Sequence, residues 1–334
     1  LGREAFTRDV FEELVGGFIV VIPSVTYYNL DGDDTDGWEA EIETSFTFLN
    51  VDTMTTEGQF FVETSGVADS PREAMQDAVS DIAVSLEFEL RSLEIFRLRG
   101  GVVDVLDGEA YLSLGDNLGI QVGDEYVVER RSTSANGFER VEETGLLVVS
   151  DVQRDYAVAE VIYASPRIGI GDQLIELPRI GVDIEPYFSL IGDLAGIIGG
   201  GSGGDIVPVV GLRSALSRGV FDFRPMAAVE IPFIESSSGY LPLNVMGGVQ
   251  WVSYLGRLRL TPHVLAGVGM DLSLDSEAKD PFSLTHLGGN AAMTAQMLLG
   301  RDMYVWAEAG LAAWLGLGGN SYAGLLAGVG VTFK

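Results

Sequence analysis

From Ile180 to the end of the chain, apolar and polar residues alternate with a period of two through eight runs. The fifth, "RLRLTPHVLAGVGMDLSL" from Arg257 to Leu274, shows the rule: Leu, Pro, Val, Ala or Met fills the even positions. Arg257, Arg259, His263 and Asp271 fall among the odd ones. Such alternation predicts β-strands with one apolar face. The other runs cover 180–191, 206–216, 221–233, 241–254, 286–299, 303–315 and 323–333. Short joints ("SRG", "LGR", "LGRD") alternate with longer ones ("GDLAGIIGGGSGGD", "IESSSGYLP", "DSEAKDPF", "GLGGN"). An even number of strands joined by alternating short and long connections is the arrangement of an outer-membrane β-barrel.

A soluble up-and-down barrel would use the same period with its apolar face inward. Here the polar faces are glycine-rich and sparsely charged for a solvated surface, and the apolar faces are almost free of charge. The membrane barrel is therefore expected. Its lumen would hold Asp183, Glu185, Arg213, Asp222, Arg224, Glu230, Arg257, Arg259, His263, Asp271 and Glu308. Eight strands leave room for side chains and little else, so these groups should form an ion-paired plug. In strand number and turn pattern the segment resembles small OmpA-like barrels. The closing "GVGVTFK" resembles the terminal strand read by barrel-assembly machinery, with Lys334 after the expected final Phe333.

The first half reads differently. "REAFTRDVFEELV" spaces Phe6, Val10, Phe11 and Leu14 for an amphipathic helix ended by Gly16 and Gly17. Three β-rich runs follow, 18–29, 39–51 and 57–66, as a meander. Ser70, Pro71 and Glu73 then mark a helix start, with Ala78, Ile82, Val84, Leu86 and Leu90 as its buried stripe. From Leu98 to Leu177 the period returns to two, and "IQVGDEYVVE" at 120–129 is echoed by "IGIGDQLIEL" at 168–177. That echo suggests a small barrel with one turn design used twice.

Charge separates the halves. Residues 1–178 carry 36 acids and 11 bases, net −25, whereas residues 179–334 carry 13 acids and 9 bases, net −4. A net charge of −29 argues against binding nucleic acid, which needs clustered Lys and Arg. With no cysteine, disulfides, zinc thiolates and thiol nucleophiles are excluded. No run of 18 apolar residues suggests a spanning helix. "LGREAF" shows no export signal, so the chain is expected to be cytoplasmic or a mature or trimmed exported form, and the strands favour the latter.

The stretch "GVVDVLDGEAYLSLGDNLGIQVGDEYVVER…ETGLLVVSDVQRDYAVAEVI…IGIGDQL" resembles the C-terminal β-domain of the flagellar assembly protein FlgT. The preceding "SFTFLNVDTMTTEGQFFVETSGVADSPREAMQDAVSDIAVSLEFEL" resembles the strand-strand-helix part of CsgG-like and TolB-N-terminal-like periplasmic domains. The resemblance implies a periplasmic assembly or scaffold module, flagellum-related or more general, without catalytic residues.

The expected fold is mainly β: an N-terminal α+β periplasmic module over residues 1–96, a small β-barrel domain over 97–178 and an eight-stranded antiparallel transmembrane barrel over 179–334. Two constellations could carry chemistry. Asp34, Asp36 and Glu43 match part of a calcium loop, but Gly32 stands at its first ligand position and strands flank it, so an acidic turn is expected. His286 could act with Asp271 or Ser283 near the outer rim, but Asp271 and His286 are symmetric about their loop, which fits a cross-strand pair. No catalytic, cofactor or metal residue is assigned. The expected function is non-enzymatic: an outer-membrane anchor whose acidic periplasmic half binds an envelope partner or copies of itself. Its surroundings would be outer-membrane lipid, and removal of 179–334 would release a soluble folded fragment. The alternatives are a subunit of an oligomeric channel or secretion pore and, far behind, an outer-membrane enzyme.

Overall fold

The computed structural model describes residues 19–33, 37–51, 53–93, 96–133, 136–193, 206–234, 240–273, 282–317 and 321–334. It divides into two compact units, Leu1–Leu98 and Arg99–Lys334. The helix expected near the start, Asp34, Asp36 and parts of all four longer barrel connections lie outside the described residues.

The first unit is a three-stranded antiparallel meander, β1 (Ile19–Asp33), β2 (Gly37–Asn50) and β3 (Thr55–Ala68), with α1 (Pro71–Ser92). Ser70 caps α1: its Oγ accepts from the Glu73 amide at 3.3 Å and donates to the Glu73 carboxylate at 3.0 Å. The buried stripe repeats every four residues. Ala74 and Ala78 pack on Ala40 and Ile42, while Ile82, Leu86 and Leu90 lie against Phe46, Phe48 and Val62. Ala74, in the first turn of α1, extends the expected stripe by one step of four residues. Glu43 lies well inside β2, opposite Glu63.

The second unit holds two closed barrels. β4 (Arg99–Leu106), β5 (Glu109–Leu112), β6 (Glu125–Thr133), β7 (Glu139–Val152), β8 (Ala157–Ala164) and β9 (Gln173–Leu177) close in the order β4-β5-β8-β7-β6-β9. The repeated motif is one turn made twice. Gly123 and Gly171 both have φ of 89°, and Asp124 and Asp172 each accept a backbone amide three residues back at 2.9 Å, from Gln121 and Gly169. The strands that follow these turns, β6 and β9, pair with each other.

The larger barrel comprises β10 (Val182–Asp193), β11 (Ile206–Leu216), β12 (Phe223–Pro232), β13 (Tyr240–Trp251), β14 (Ser253–Leu255), β15 (Leu258–Ser273), β16 (Phe282–Leu299), β17 (Met303–Gly316) and β18 (Tyr322–Phe333). β14 continues β13 past a break at Val252, so eight staves close through β13–β15 and β10–β18. All neighbours are antiparallel. The short joints are 217–222, 256–257 and 300–302, all at the end where β10 begins and β18 finishes.

Candidate functional site: a filled lumen and a sealed junction

Apolar side chains of the larger barrel point outward. Phe188, Leu212, Val249, Val264, Met293, Leu311 and Val329 are all exposed on its outer wall. Aromatic residues mark both rims: Phe223 and Trp251 lie with tilted rings 4.5 Å apart on the short-turn side, and Phe233, Tyr240 and Phe282 stand at the other. The ten residues of β12 between them give about 25 Å of height, at about 3.3 Å per residue and about 40° of tilt.

The interior is polar. Asp183, Glu185, Arg213, Arg224, Glu230, Arg259, His263 and Glu308 are all buried, as the alternation predicted. Arg213 joins the largest group: it donates to Glu185 at 3.1 Å and to Glu308 at 2.7 Å, and lies 3.2 Å from His263 Nε2. Its guanidinium stands over the rings of Tyr187 and Trp306, 4.8 and 4.5 Å from their centroids. Those rings fit because neighbouring strands present Gly211 and Gly330, where a Cβ would meet them at 2.3 and 2.4 Å. Tyr187 in turn donates to Glu230 at 2.5 Å.

A second group centres on Asp183, which takes Arg259 at 3.0 Å and Arg224 at 3.6 Å. Arg259 also donates to Gln296, and Arg224 to the Tyr254 hydroxyl at 3.0 Å. Asp183, Glu185 and Glu308 thus meet three guanidiniums across the lumen, while Glu230 is held by the Tyr187 hydroxyl and the Asn244 amide. Each charge would be costly there alone, which makes the pairing a structural requirement.

Two expected lumen residues are elsewhere. Asp222 is exposed in the β11–β12 joint, and Arg257 is exposed in the β14–β15 turn, where it lies 4.0 Å above the Tyr163 ring of the small barrel. Both stand where the strand ends, so alternation no longer dictates their direction. Asp271 is half-buried near the far end of β15. Nor do Asp271 and His286 pair: the β15–β16 register sets His286 opposite Gly269, two positions from Asp271, and beyond an irregularity there Asp271 stands opposite Ser283. His286 instead contacts the Thr285 hydroxyl at 3.0 Å and the edge of Tyr322.

The sequence did not reveal the junction. The small barrel sits across the short-turn end, and the two share one apolar core: Val127, Leu146, Val148, Ile162 and Leu177 meet Leu298 and Tyr304, with Tyr163, Phe221 and Tyr254 at its edge. Ion pairs ring it. Arg218 reaches Asp124 at 2.7 Å, and Arg301 reaches Glu143 at 2.6 Å. Arg179 bridges Glu125 at 2.9 Å and Asp302 at 2.8 Å. Burial opposes the Arg179 charge, but those two carboxylates outweigh it and hold its pKa above the ordinary value. Lys334, the residue that departs from the expected final Phe, pairs with Glu125. Backbone joins too: the Gly219 amide donates to the Val122 carbonyl at 2.7 Å.

No family model and no curated protein matches the chain. Among solved structures it is similar to a Salmonella typhi porin, OmpF in complex with daunomycin, at 10% identity over 96% of this chain and 98% of that one, with a TM-score of 0.18. An overlap that low carries no argument about fold or function. No described helix is long and apolar enough to cross a membrane, and among the described residues no cluster of His, Asp and Glu could hold a metal ion.

Proposed function

We propose that this chain is a non-enzymatic outer-membrane anchor that holds an acidic α+β and small-barrel assembly in the periplasm, where it serves a structural or assembly role. The observation that carries the reading is the inverted larger barrel: an unbroken apolar wall outside and paired charges inside. In water that wall would far exceed the apolar patches soluble proteins leave exposed. In lipid it is the solvated surface.

Orientation follows from the junction. Short turns of such barrels face the periplasm, and here they meet the small barrel, which supports a periplasmic position for residues 99–178. A lumen packed with ion pairs and closed at one end by a shared core favours an anchor over a single-chain pore. The ion pairs then serve barrel stability, and His263 is one of their partners.

Protease treatment of cells tests the reading. With intact cells the acidic units are expected to survive, and to be cut only after the outer membrane is permeabilised. Cleavage on intact cells, or recovery of the chain in the soluble fraction, would overturn it.

A further inference from the structure

β1 is an edge strand whose only ladder partner among the described residues is β2, and α1 packs on β2 and β3. Its two halves differ. Pro23 and a bulge at Thr26, whose hydroxyl binds Glu43, interrupt the first half, and such features blunt an edge against pairing. From Tyr27 to Gly32 the register with β2 is unbroken.

The two faces of that segment have opposite character. On the α1 side stand Tyr28 and Leu30, opposite the core residues Ile42 and Ala40; Tyr28 is 70% exposed. On the other face Tyr27, Asn29 and Asp31 stand opposite Glu43, Glu41 and Glu39, and Glu43 in turn faces Glu63. Residues 18–70 contain eleven acids and no Lys or Arg. Carboxylates set directly across a ladder repel one another, so this face lacks its counter-charge.

We propose that the Tyr27–Gly32 edge accepts an added strand from a partner protein, in an extended segment that alternates apolar and basic residues. Its apolar side chains extend the Tyr28 and Leu30 shelf, its basic ones neutralise the acidic face, and its backbone pairs with the edge that β1 leaves open among the described residues. A second copy of this chain is the wrong occupant, because its own β1 brings Asp31 and the same acidic rungs. The inference rests on the reading that the N-terminal unit is the association module, but not on where the larger barrel resides.

The test uses the full chain in detergent micelles and three labelled twelve-residue peptides: alternating Lys-Val, its alternately N-methylated form and alternating Glu-Val. The Lys-Val peptide is expected to bind, at least tenfold more weakly when salt rises from about 0.05 M to about 0.3 M. N-methylation, which removes strand donors, should weaken it at least tenfold, and Glu-Val should not bind. Amide exchange should slow in Tyr27–Gly32, and the exposed pair Glu39→Lys with Glu41→Lys should cost at least tenfold in affinity. Equal binding of the N-methylated peptide, protection elsewhere, or self-association through β1 in sedimentation would overturn the proposal. Failure here with the acidic units still protease-protected in cells would remove the docking edge and leave the anchor standing.

Discussion

Arg213 and Glu308, 95 positions apart, meet at 2.7 Å inside the barrel with side chains 3% and 1% exposed. Arg213 also holds Glu185, so its loss takes the nearest guanidinium from two buried carboxylates. Arg213→Leu is expected to destabilise the folded barrel by about 3–5 kcal/mol, as breaking one side of a buried pair does. Urea unfolding in micelles measures it. Adding Glu308→Leu should recover part of the loss, and simple additivity of the two would contradict the coupling.

Neighbouring positions on β15 should respond oppositely. Val264 is on the apolar wall and His263 inside. Val264→Arg should cost about 2–4 kcal/mol where the wall meets the lipid midplane, and assembly should fall accordingly. His263→Gln keeps a polar group beside Arg213 and should assemble normally. Heat-dependent gel mobility of membrane fractions reports both.

Two glycines isolate the junction. Gly123 and Gly171 share φ of 89°, but a Cβ at Gly123 would meet the Ser217 carbonyl of the larger barrel at 2.0 Å, whereas Gly171 faces open space. Alanine at either position incurs the left-handed backbone cost, about 1–2 kcal/mol. Only Gly123→Ala should also loosen the small barrel from its seat, seen as faster proteolysis of residues 99–178. Equal effects would mean the contact is incidental.

The shared core changes what truncation should do. A fragment lacking 179–334 loses Leu298 and Tyr304 from the cluster around Leu146 and Ile162. It is expected to fold yet bind a hydrophobic dye and self-associate, and sedimentation with dye titration checks this. A clean, dye-silent monomer would contradict the junction.

Acid should weaken the small barrel at its second Gly-Asp turn. Arg130, hydrogen-bonded to Asp172 at 3.1 and 3.0 Å, holds that carboxyl below its ordinary value against a smaller opposing effect of burial. A carboxyl with a lowered folded pKa adds stability above its unfolded pKa of about 3.9 and loses it as pH falls through the folded value. Asp172→Asn should therefore lower the melting temperature at pH 7, by a gap that narrows as pH falls below about 3.9. A gap that does not narrow over that fall would assign the loss to packing.

Period-two alternation carried most of the larger barrel because a strand that separates two solvents writes its faces directly into its residues. It located Arg213, Arg224 and Arg259 but misplaced Asp222 and Arg257, which stand where the strands stop. The β15–β16 register differs by two positions from the one that would pair Asp271 with His286, and a shift of two leaves the apolar pattern unchanged, so the supposed pair looked sound. The junction was illegible for another reason: Leu146 and Leu298 are each ordinary strand residues, and only their meeting across 152 positions makes them an interface.

The central claim is that the outer wall of the larger barrel faces lipid. The chain has no cysteine, so single cysteines can carry spin labels without background. Labels at successive positions from Thr261 to Ala266 in bilayers should alternate. Those at Pro262, Val264 and Ala266 should be reached by oxygen and shielded from a water-soluble nickel complex. Labels at Thr261, His263 and Leu265 should be reached poorly by both. Nickel access at Pro262, Val264 and Ala266 would contradict the account, because that wall would then face water.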